Sequence, residues 1–159
     1  MTFSIRKAIK QDMPRVLELI KELADFEKEP EAVEVTIEEL IKGGFEEPVQ
    51  FVCFVAECNN RIEGIALVYN RFSTWKGVVL HLEDLIVSHN MRGSGLGTAL
   101  LDEVVRYGQS LGVKRIGWEV LDWNQSAIDF YEKKGADIKR DWHIVHLTKD
   151  GMKNYIANI

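Results

Sequence analysis

Three glycines at alternate positions, Gly93, Gly95 and Gly97, lie in the stretch NMRGSGLGTALL, soon after an apolar run that ends at Val87. Glycine allows successive backbone N–H groups to turn toward one point, and a helix N-terminus beyond them adds about half a positive charge. The chemistry predicted by this arrangement is the binding of an oxyanion, most simply a phosphate group. A tight strand-to-helix turn without a ligand is the structural alternative.

Two common phosphate-binding loops fit this stretch poorly. A P-loop requires the pattern G-x-x-x-x-G-K-[ST], which does not occur in the sequence. The dinucleotide fingerprint G-x-G-x-x-G requires glycine at its sixth position, where the chain has Thr98 or Leu100. Glu119 and Asp122 follow at the distance of a ribose-binding acid, so spacing alone leaves a dinucleotide site open as a rival. Only about 60 residues follow the loop, which is short for such a domain.

A second candidate for chemistry is Glu83, a carboxylate inside the apolar run LHLEDLIV. Burying an unpaired carboxylate is unfavourable, so an acid in such a strand is expected to be paired or functional, and function is the favoured interpretation. Strict alternation along a strand assigns the residues of this run to two faces. One face is expected to carry His81, Glu83 and Leu85, and the other Leu82, Asp84 and Ile86.

The first part of the chain predicts a strand and two helices. FSIRKAI has the composition of a strand, and QDMPRVLELIKELADFE has helical spacing with Asp12 as a plausible N-cap. A second helix is expected to begin with a capping box formed by Thr36 and Glu39. Gly43 and Gly44 are the expected end of that helix.

The remainder predicts an α+β fold in which strands come first and helices alternate with strands later. Residues 50–58 and 61–70 predict a hairpin joined by two asparagines, and residues 78–87 predict a third strand. A helix follows the glycines and ends near Gly112. VKRIGWEV then predicts a strand, NQSAIDFYEKK a helix capped by Asn124, and two short strands are expected to complete the sheet. No linker is evident, so residues 1–159 are interpreted as a single domain.

Composition limits the classes of partner. The formal net charge of −5 argues against nucleic acid, because phosphate binding requires concentrated Lys and Arg, and an acidic protein more naturally meets a cationic small molecule. No apolar run approaches the roughly 18 residues of a membrane span, and the N-terminus has no signal-like apolar segment. A cytoplasmic location without a membrane partner is the simplest expectation.

The cysteines and histidines predict neither a disulfide nor a metal site. Cys53 and Cys58 lie in one expected strand roughly 17 Å apart, whereas a disulfide requires Cα atoms within about 7 Å. Both are interpreted as packing residues. His143 and His146 are expected on opposite faces of a strand, which prevents them from sharing a metal ion.

Arg92, Gly95 and Gly97 complete the pattern R-x-x-G-x-G. Together with LEDLIV and NQSAIDFYEKKG, this pattern resembles the GNAT superfamily of acetyl-CoA-dependent N-acetyltransferases. ELIKELADFE, LEDLIVSHNMRGSGLG and DWNQSAIDFYEKKGA are more specifically similar to the spermidine/spermine (diamine) and thialysine acetyltransferase family, over nearly the whole chain. The resemblance implies the GNAT (acyl-CoA N-acyltransferase) fold, with a mixed, mostly antiparallel central sheet flanked by helices, and a homodimer.

The resemblance also implies where acetyl-CoA binds. Its pantetheine arm is expected in a cleft between the two central strands, paired with the backbone of Leu85, Ile86 and Val87, and its pyrophosphate on the amides of residues 93–98. Asn124 can equally be only a helix cap, and the two roles are compatible. Besides these three strand residues, the implied acetyl-CoA-binding set is Arg92, Gly93, Ser94, Gly95, Leu96, Gly97, Thr98, Asn124, Ala127, Tyr131 and Lys134.

The chemistry implied by the resemblance uses two proton-handling groups. A primary alkylamine has a pKa of about 10 and must lose a proton before it attacks a thioester. Glu83 corresponds to the general base of the family, acting directly or through water, and Tyr131 to the general acid that protonates the departing thiolate. Helical periodicity alone would favour a packing role for the Tyr131 ring over the role of general acid. A strand amide near Ile86 or Val87 could stabilise the oxyanion.

The expected substrate is a small cationic primary amine. The segment ADFEKEPEAVEVTIEEL carries seven acids against one lysine, and a solvated surface is the ordinary explanation of such a segment. The resemblance places Phe26 and Glu27, with Glu83, at substrate-binding positions, although Phe26 replaces a frequent tyrosine. The CNNRIEG turn is short, and Ala127 stands in place of a serine. The resemblance therefore leaves polyamines, diamines and thialysine-like amines as alternative substrates. A non-catalytic CoA-binding or regulatory module is the alternative, and it would not need both Glu83 and Tyr131.

Overall fold

A five-stranded sheet organises the first of two compact units, Met1–Glu119 and Val120–Ile159, in a computed structural model that describes residues 2–159. The strands follow one another across the sheet in chain order, and only the last pair, β4 with β5, is parallel. The prediction of a mixed, mostly antiparallel sheet is therefore confirmed. The strands are β1 Phe3–Lys7, β2 Val52–Cys58, β3 Arg61–Ser73, β4 Gly77–Val87 and β5 Ile116–Gly117.

Three helices cover the two faces of this sheet. Helix α1 spans Met13–Phe26 and helix α2 spans Ile37–Phe45, and their apolar side chains form one core with β2, β3 and β4. Helix α3, Leu96–Ser110, packs on the opposite face, where its Tyr107 meets the ring of Phe54 at 5.4 Å between centroids. The buried core on the α1 side comprises Met13, Val16, Leu17, Leu19, Leu40, Cys53, Val55, Ile62, Ile65, Leu67 and Ile86.

The expected hairpin is present between β2 and β3. Its turn residues, Asn59 and Asn60, have φ values of 51° and 60°, in the left-handed region that asparagine tolerates better than most residues. Cys58 pairs with Arg61 directly across the turn. The short turn thus follows from local sequence chemistry, as predicted.

Two helix ends differ in detail from the sequence prediction. Asp12 precedes α1, but its side chain does not cap the helix, because its carboxylate accepts hydrogen bonds from Arg6 at 2.7 Å and from the Ile9 N–H at 2.8 Å. The glycines expected to end α2 lie inside it. A Cβ atom on Gly44 would come within 2.8 Å of the Phe51 ring, so glycine here allows close packing rather than ending the helix.

The second unit contains two helices, α4 Gln125–Lys133 and α5 Lys149–Ala157. The prediction of two final strands is wrong, and of VKRIGWEV only Ile116–Gly117, in the first unit, pairs as a strand. Residues 139–150 are exposed, and none of them belongs to a strand. Thr148 instead caps α5 by accepting the N–H of Gly151 at 3.1 Å.

Candidate active site

The glycine loop forms an uncapped helix N-terminus. Gly95 is the N-cap of α3 with φ of 91°, and Gly93 has φ of 77°, both in the left-handed region that glycine adopts without strain. The first N–H groups of a helix have no acceptor within it, and Gly95 offers no side chain to supply one. Residues 92–95 are exposed and Gly97 and Thr98 are half-buried, whereas Leu96 is buried. The arrangement can hold an anion, as predicted for this stretch.

Strand β4 leaves part of one edge unpaired on the way to this loop. It pairs with β5 at only two positions, Leu80 with Ile116 and His81 with Gly117. The six residues that follow, 82–87, have no β5 partner among the residues the structure describes. Their other edge is paired with β3. The backbone edge of residues 85–87, where a cleft was predicted, therefore carries no pairing with β5.

Glu83 occupies a β-bulge in β4. Val68 of β3 pairs with Leu82, and the preceding Leu67 pairs with Asp84, so Glu83 is one extra residue opposite a continuous partner strand. A bulge of this kind redirects side chains and is often found beside active sites. The sequence pattern contains no signal for it, because HLEDLIV reads equally well as a regular strand.

The bulge overturns the predicted assignment of faces. Cross-strand partners share a face of the sheet, and His81 pairs with Tyr69 while Asp84 pairs with Leu67. His81 and Asp84 therefore lie on the same face, whereas Leu85 shares the other face with Leu82. The prediction that grouped His81 with Leu85 and Leu82 with Asp84 is wrong, because one inserted residue shifts the alternation by one position.

A cavity of about 430 Å³ lies beside the bulge, on the side of the sheet covered by α1 and α2. Its walls are mainly apolar and are interrupted by two carboxylates, a phenol and an amide. It can therefore accommodate a short hydrocarbon chain that ends in a positive charge. The lining residues are Ile20, Val35, Leu40, Gln50, Phe51, Leu67, Tyr69, Glu83 and Asp84.

Two neighbours orient the Glu83 carboxylate. The His81 Nε2 atom lies 3.5 Å from Glu83 Oε2, and the rings of Tyr69 and His81 are 5.1 Å apart between centroids. The pKa of Tyr69 is raised by burial, by the negative charge of Glu83 and by a hydrogen bond to that carboxylate. Glu83 itself is half-exposed. Its carboxylate is therefore held from one side and open to a ligand from the other.

Asp84 is a half-buried acid that the sequence did not assign to the site. Desolvation, together with the charges of Glu83 and Glu27, raises the pKa of its carboxyl to about 6. Asp84 forms no ion pair with any residue in the described part of the chain. A carboxylate left without a cation in such surroundings favours a positively charged ligand. The available signal was the pair of adjacent acids in one apolar strand, whose shared orientation depends on the bulge.

Phe26 and Glu27 stand where α1 ends. Glu27 is exposed at the surface, yet desolvation still raises the pKa of its carboxyl, and its charge contributes to the raised pKa of Asp84. Glu27 is thus electrostatically coupled to the cavity. The guanidinium carbon of Arg92 lies 4.6 Å from the centroid of the Phe26 ring. Among the other acids of this segment, Glu39 forms the capping box predicted with Thr36.

The remaining predicted residues lie on or beside α4 in the second unit. Asn124 caps this helix by accepting the N–H of Ala127 at 3.3 Å, as expected for its capping role. Tyr131 is buried one turn further along and its ring is 5.3 Å from that of Phe130. Lys134 follows the last turn, where its N–H reaches the Tyr131 carbonyl at 3.0 Å.

The cysteines are suited to packing rather than nucleophilic chemistry. Cys53 and Cys58 are both buried and free, which confirms the prediction of no mutual disulfide. Burial raises the pKa of the Cys53 thiol to about 12, so it stays protonated near neutral pH. Within residues 2–159 there is no cluster of three or more metal-ligating side chains, and no helix has the length and apolarity to cross a membrane.

Known proteins with similar sequences extend this description. A model of the acetyltransferase (GNAT) family matches residues 13–136. Thialysine N-epsilon-acetyltransferase of Bos taurus is 33% identical over 160 residues, 94% of this chain and 94% of that protein. Spermidine/spermine N(1)-acetyltransferase-like protein 1 of Homo sapiens is 32% identical over 158 residues, 93% of this chain and 23% of that protein. The resemblance predicted from the motifs is confirmed.

A solved structure shows the same fold. An aminoglycoside N-acetyltransferase in complex with CoA superposes with a TM-score of 0.73 at 17% sequence identity, covering 91% of this chain and 94% of that one. At this level of identity the likeness concerns the fold. The predicted fold, a mixed and mostly antiparallel sheet flanked by helices, is confirmed.

Proposed function

The chain belongs to the GNAT family of acetyltransferases, and we propose that it transfers an acetyl group from acetyl-CoA to a primary amine of a small cationic substrate. The predicted class of enzyme, an N-acetyltransferase, follows from that membership. The observation that carries the proposal is the combination, within one unit, of an uncapped helix N-terminus, an unpaired β4 edge and a cavity with two carboxylates.

The residues present fit acetyl-CoA. Its pyrophosphate would accept hydrogen bonds from amides within residues 93–98, at the N-terminus of α3, which has no side-chain cap. Its pantetheine amides would pair with Leu85, Ile86 and Val87 along the β4 edge that β5 leaves free. The family motif adds Asn124, Ala127, Tyr131 and Lys134 of the second unit to this proposed set.

The amine would enter through the carboxylate-lined cavity. Glu83 and Asp84 line the cavity, and the charges of Glu83 and of Glu27 nearby both raise the pKa of Asp84. Such a cluster favours a ligand with more than one positive charge, and the apolar walls suit the methylene groups between the charges. We therefore propose that Asp84 and Glu27 bind the ammonium groups of a polyamine, a diamine or a thialysine-like amine.

The proposed reaction is a direct transfer. Acetyl-CoA supplies an activated thioester, and the new bond joins the amine nitrogen to the acetyl carbon as the carbon–sulfur bond breaks. Glu83 accepts the proton that the ammonium group loses, directly or through water, while His81 and Tyr69 hold its carboxylate in place. Tyr131 donates a proton to the departing sulfur, and an amide near Ile86 or Val87 stabilises the oxyanion.

This proposal is tested by measuring free CoA thiol with purified protein, acetyl-CoA and a panel of amines. Spermidine, spermine, thialysine, lysine, ornithine and simple diamines are the informative members. Thiol release that depends on one of these amines is expected, and a Glu83→Gln variant should reduce it while retaining CoA binding. CoA binding without thiol release for any amine would favour the non-catalytic module. NAD binding without competition by CoA would favour a dinucleotide site.

The homodimer and the cytoplasmic location are also proposals. The exposed apolar side chains of Trp142, Val145 and Leu147 support self-association, because such a group on the surface of the second unit is favourably covered by a partner. Sedimentation equilibrium should give twice the mass of the chain. A monomer at micromolar concentration would contradict the dimer without affecting the proposed chemistry.

A further inference from the structure

The side chain of Arg92 is directed at helix α1. Its guanidinium carbon lies 4.6 Å from the centroid of the Phe26 ring, within the range of a cation–π contact. Its Nε atom also donates to the carbonyl oxygen of Val87 at 3.5 Å, a long hydrogen bond. Both contacts hold the guanidinium near the end of β4 and the last turn of α1.

This position connects two parts of the proposed site. Arg92 immediately precedes Gly93, the first glycine of the exposed loop, and Phe26 immediately precedes Glu27, whose charge reaches Asp84 in the cavity. We infer that Arg92 and Phe26 form a positioning pair, through which the order of the CoA loop and the order of the amine-binding end of α1 depend on each other. The inference rests on the proposed function and assigns both residues roles beyond direct ligand contact.

A second tie joins the same two segments. Glu22 lies one helical turn before Phe26, and its Oε1 atom accepts the backbone N–H of His89 at 2.6 Å. The neighbouring Ser88 is fixed in turn by a 2.6 Å hydrogen bond from its hydroxyl to Glu63. The segment that leads into the glycine loop is thus tied to α1 at two points on one side of that helix.

Open space lies around the contacts of Arg92 with Phe26 and of His89 with Glu22, which makes both contacts important. A cavity of about 440 Å³ lies between α1 and residues 88–92, and Glu22, Phe26, His89 and Arg92 are on its walls. The contacts of these side chains join the two segments across this space. Removing one such contact should allow the loop to move relative to α1, because the open space offers little other restraint.

A double-mutant cycle on CoA affinity tests the pair. CoA is titrated by calorimetry into the unchanged protein, Arg92→Gln, Phe26→Leu and the double variant. Each single change is expected to weaken CoA binding about two- to five-fold, the range of an exposed cation–π contact. The double variant should be no weaker than the weaker single variant, because both changes remove the same contact.

Conservative and matched variants separate positioning from other effects. Phe26→Tyr keeps the ring and should restore the affinity, and Glu22→Gln should bind CoA more tightly than Glu22→Met because it keeps an acceptor for His89. Arg106→Gln removes an exposed charge from α3 beside Glu103 and should leave CoA affinity unchanged. Amide hydrogen exchange of residues 88–92 should become faster in Phe26→Leu.

The outcomes distinguish this inference from the function on which it rests. If the unchanged protein does not bind CoA, the proposed function fails and the positioning role fails with it. If CoA binds but Phe26→Leu leaves its affinity unchanged, or if the two single changes are additive, only the positioning pair is rejected. In the second case Arg92 would act as a direct phosphate ligand.

Discussion

Helices α2 and α3 belong to the same unit and begin in opposite ways. Thr36 and Glu39 close the N-terminus of α2, since each side chain bonds a backbone N–H of the other residue, at 2.9 Å and 3.2 Å. Helix α3 has Gly95 as its N-cap, which supplies no side-chain acceptor. A glycine N-cap in place of a capping side chain lowers helix stability by about a few tenths of a kcal/mol. The contrast indicates that the end of α3 is adapted to a ligand and the end of α2 to the fold.

The largest expected effect comes from placing a capping side chain at the N-terminus of α3. Gly95→Asp places a carboxylate where the pyrophosphate is proposed to bind, and aspartate tolerates positive φ better than most residues. CoA affinity should fall by about 100-fold or more, because a like charge occupies the anion site. Gly95→Asn is the neutral control and should lose much less. Equal affinities for CoA in the two variants would show that this helix end is not an anion site.

Loss of the proposed acid should have the next largest effect. Tyr131→Phe removes the phenolic proton, and kcat should fall by roughly 100-fold or more with little change in acetyl-CoA affinity. Phe130→Leu is a matched control, since it alters the adjacent ring and leaves Tyr131 in place. Unchanged kcat in Tyr131→Phe would exclude Tyr131 as the acid and return it to a packing role.

Asp84→Asn should separate function from stability. The amine KM is expected to rise about tenfold, because a hydrogen bond to a charged group is lost, while the free energy of unfolding should increase by about 1 to 3 kcal/mol at pH 8. The pKa of Asp84 is raised to about 6 from 3.8. The folded chain therefore binds more protons than the unfolded chain between these values.

The difference in free energy of unfolding between Asp84→Asn and the unchanged protein depends on pH with a definite sign. The free energy of unfolding of the unchanged protein should fall as pH rises through about 4 to 6, and the penalty from ionised Asp84 is complete above pH 6. Denaturant titrations of both proteins at pH 4 and pH 8 measure it. An advantage of Asp84→Asn that is larger at pH 4 than at pH 8 would contradict the assignment.

The smallest effect is expected at the N-terminus of α2, which Thr36 and Glu39 cap. Thr36→Ala removes the side-chain acceptor for the Glu39 N–H and should lower the free energy of unfolding by about 1 kcal/mol. CoA affinity should not change, because α2 begins with amides that are already satisfied. A loss of CoA affinity in Thr36→Ala larger than that in Gly95→Asn would remove the distinction between the two helices.

Local chemistry made much of this predictable. The capping box at Thr36, the Asn59–Asn60 turn and the glycine loop each depend on neighbours in sequence, and the structure contains all three. The positions of the first four strands along the chain followed from the hydrophobic pattern. Features that depend on how neighbouring segments pack together were predicted poorly. Asp12 bonds Arg6 and the Ile9 N–H instead of capping α1, and Gly44 faces the Phe51 ring.

The site shows the same division. The glycine loop, which is the proposed anion site, could be predicted because its glycines lie close together in the sequence. The relation of Asp84 to His81 could not, because it depends on a bulge that only the pairing of β4 with β3 defines. The contact between Phe26 and Arg92 joins residues far apart in the chain, and no periodicity records it. Motifs therefore indicated the acetyl-CoA side of the site better than the amine side.

The central claim is direct transfer from acetyl-CoA to an amine, and the fate of a labelled acetyl group tests it most directly. Protein, acetyl-labelled acetyl-CoA and the best amine of the panel are mixed, stopped within one turnover and separated into protein, amine and CoA fractions. Direct transfer should give label in the amine, an equal amount of free CoA, and no label on the protein, where Cys53 is held protonated. Label that appears first on the protein, or free CoA without labelled amine, would contradict it.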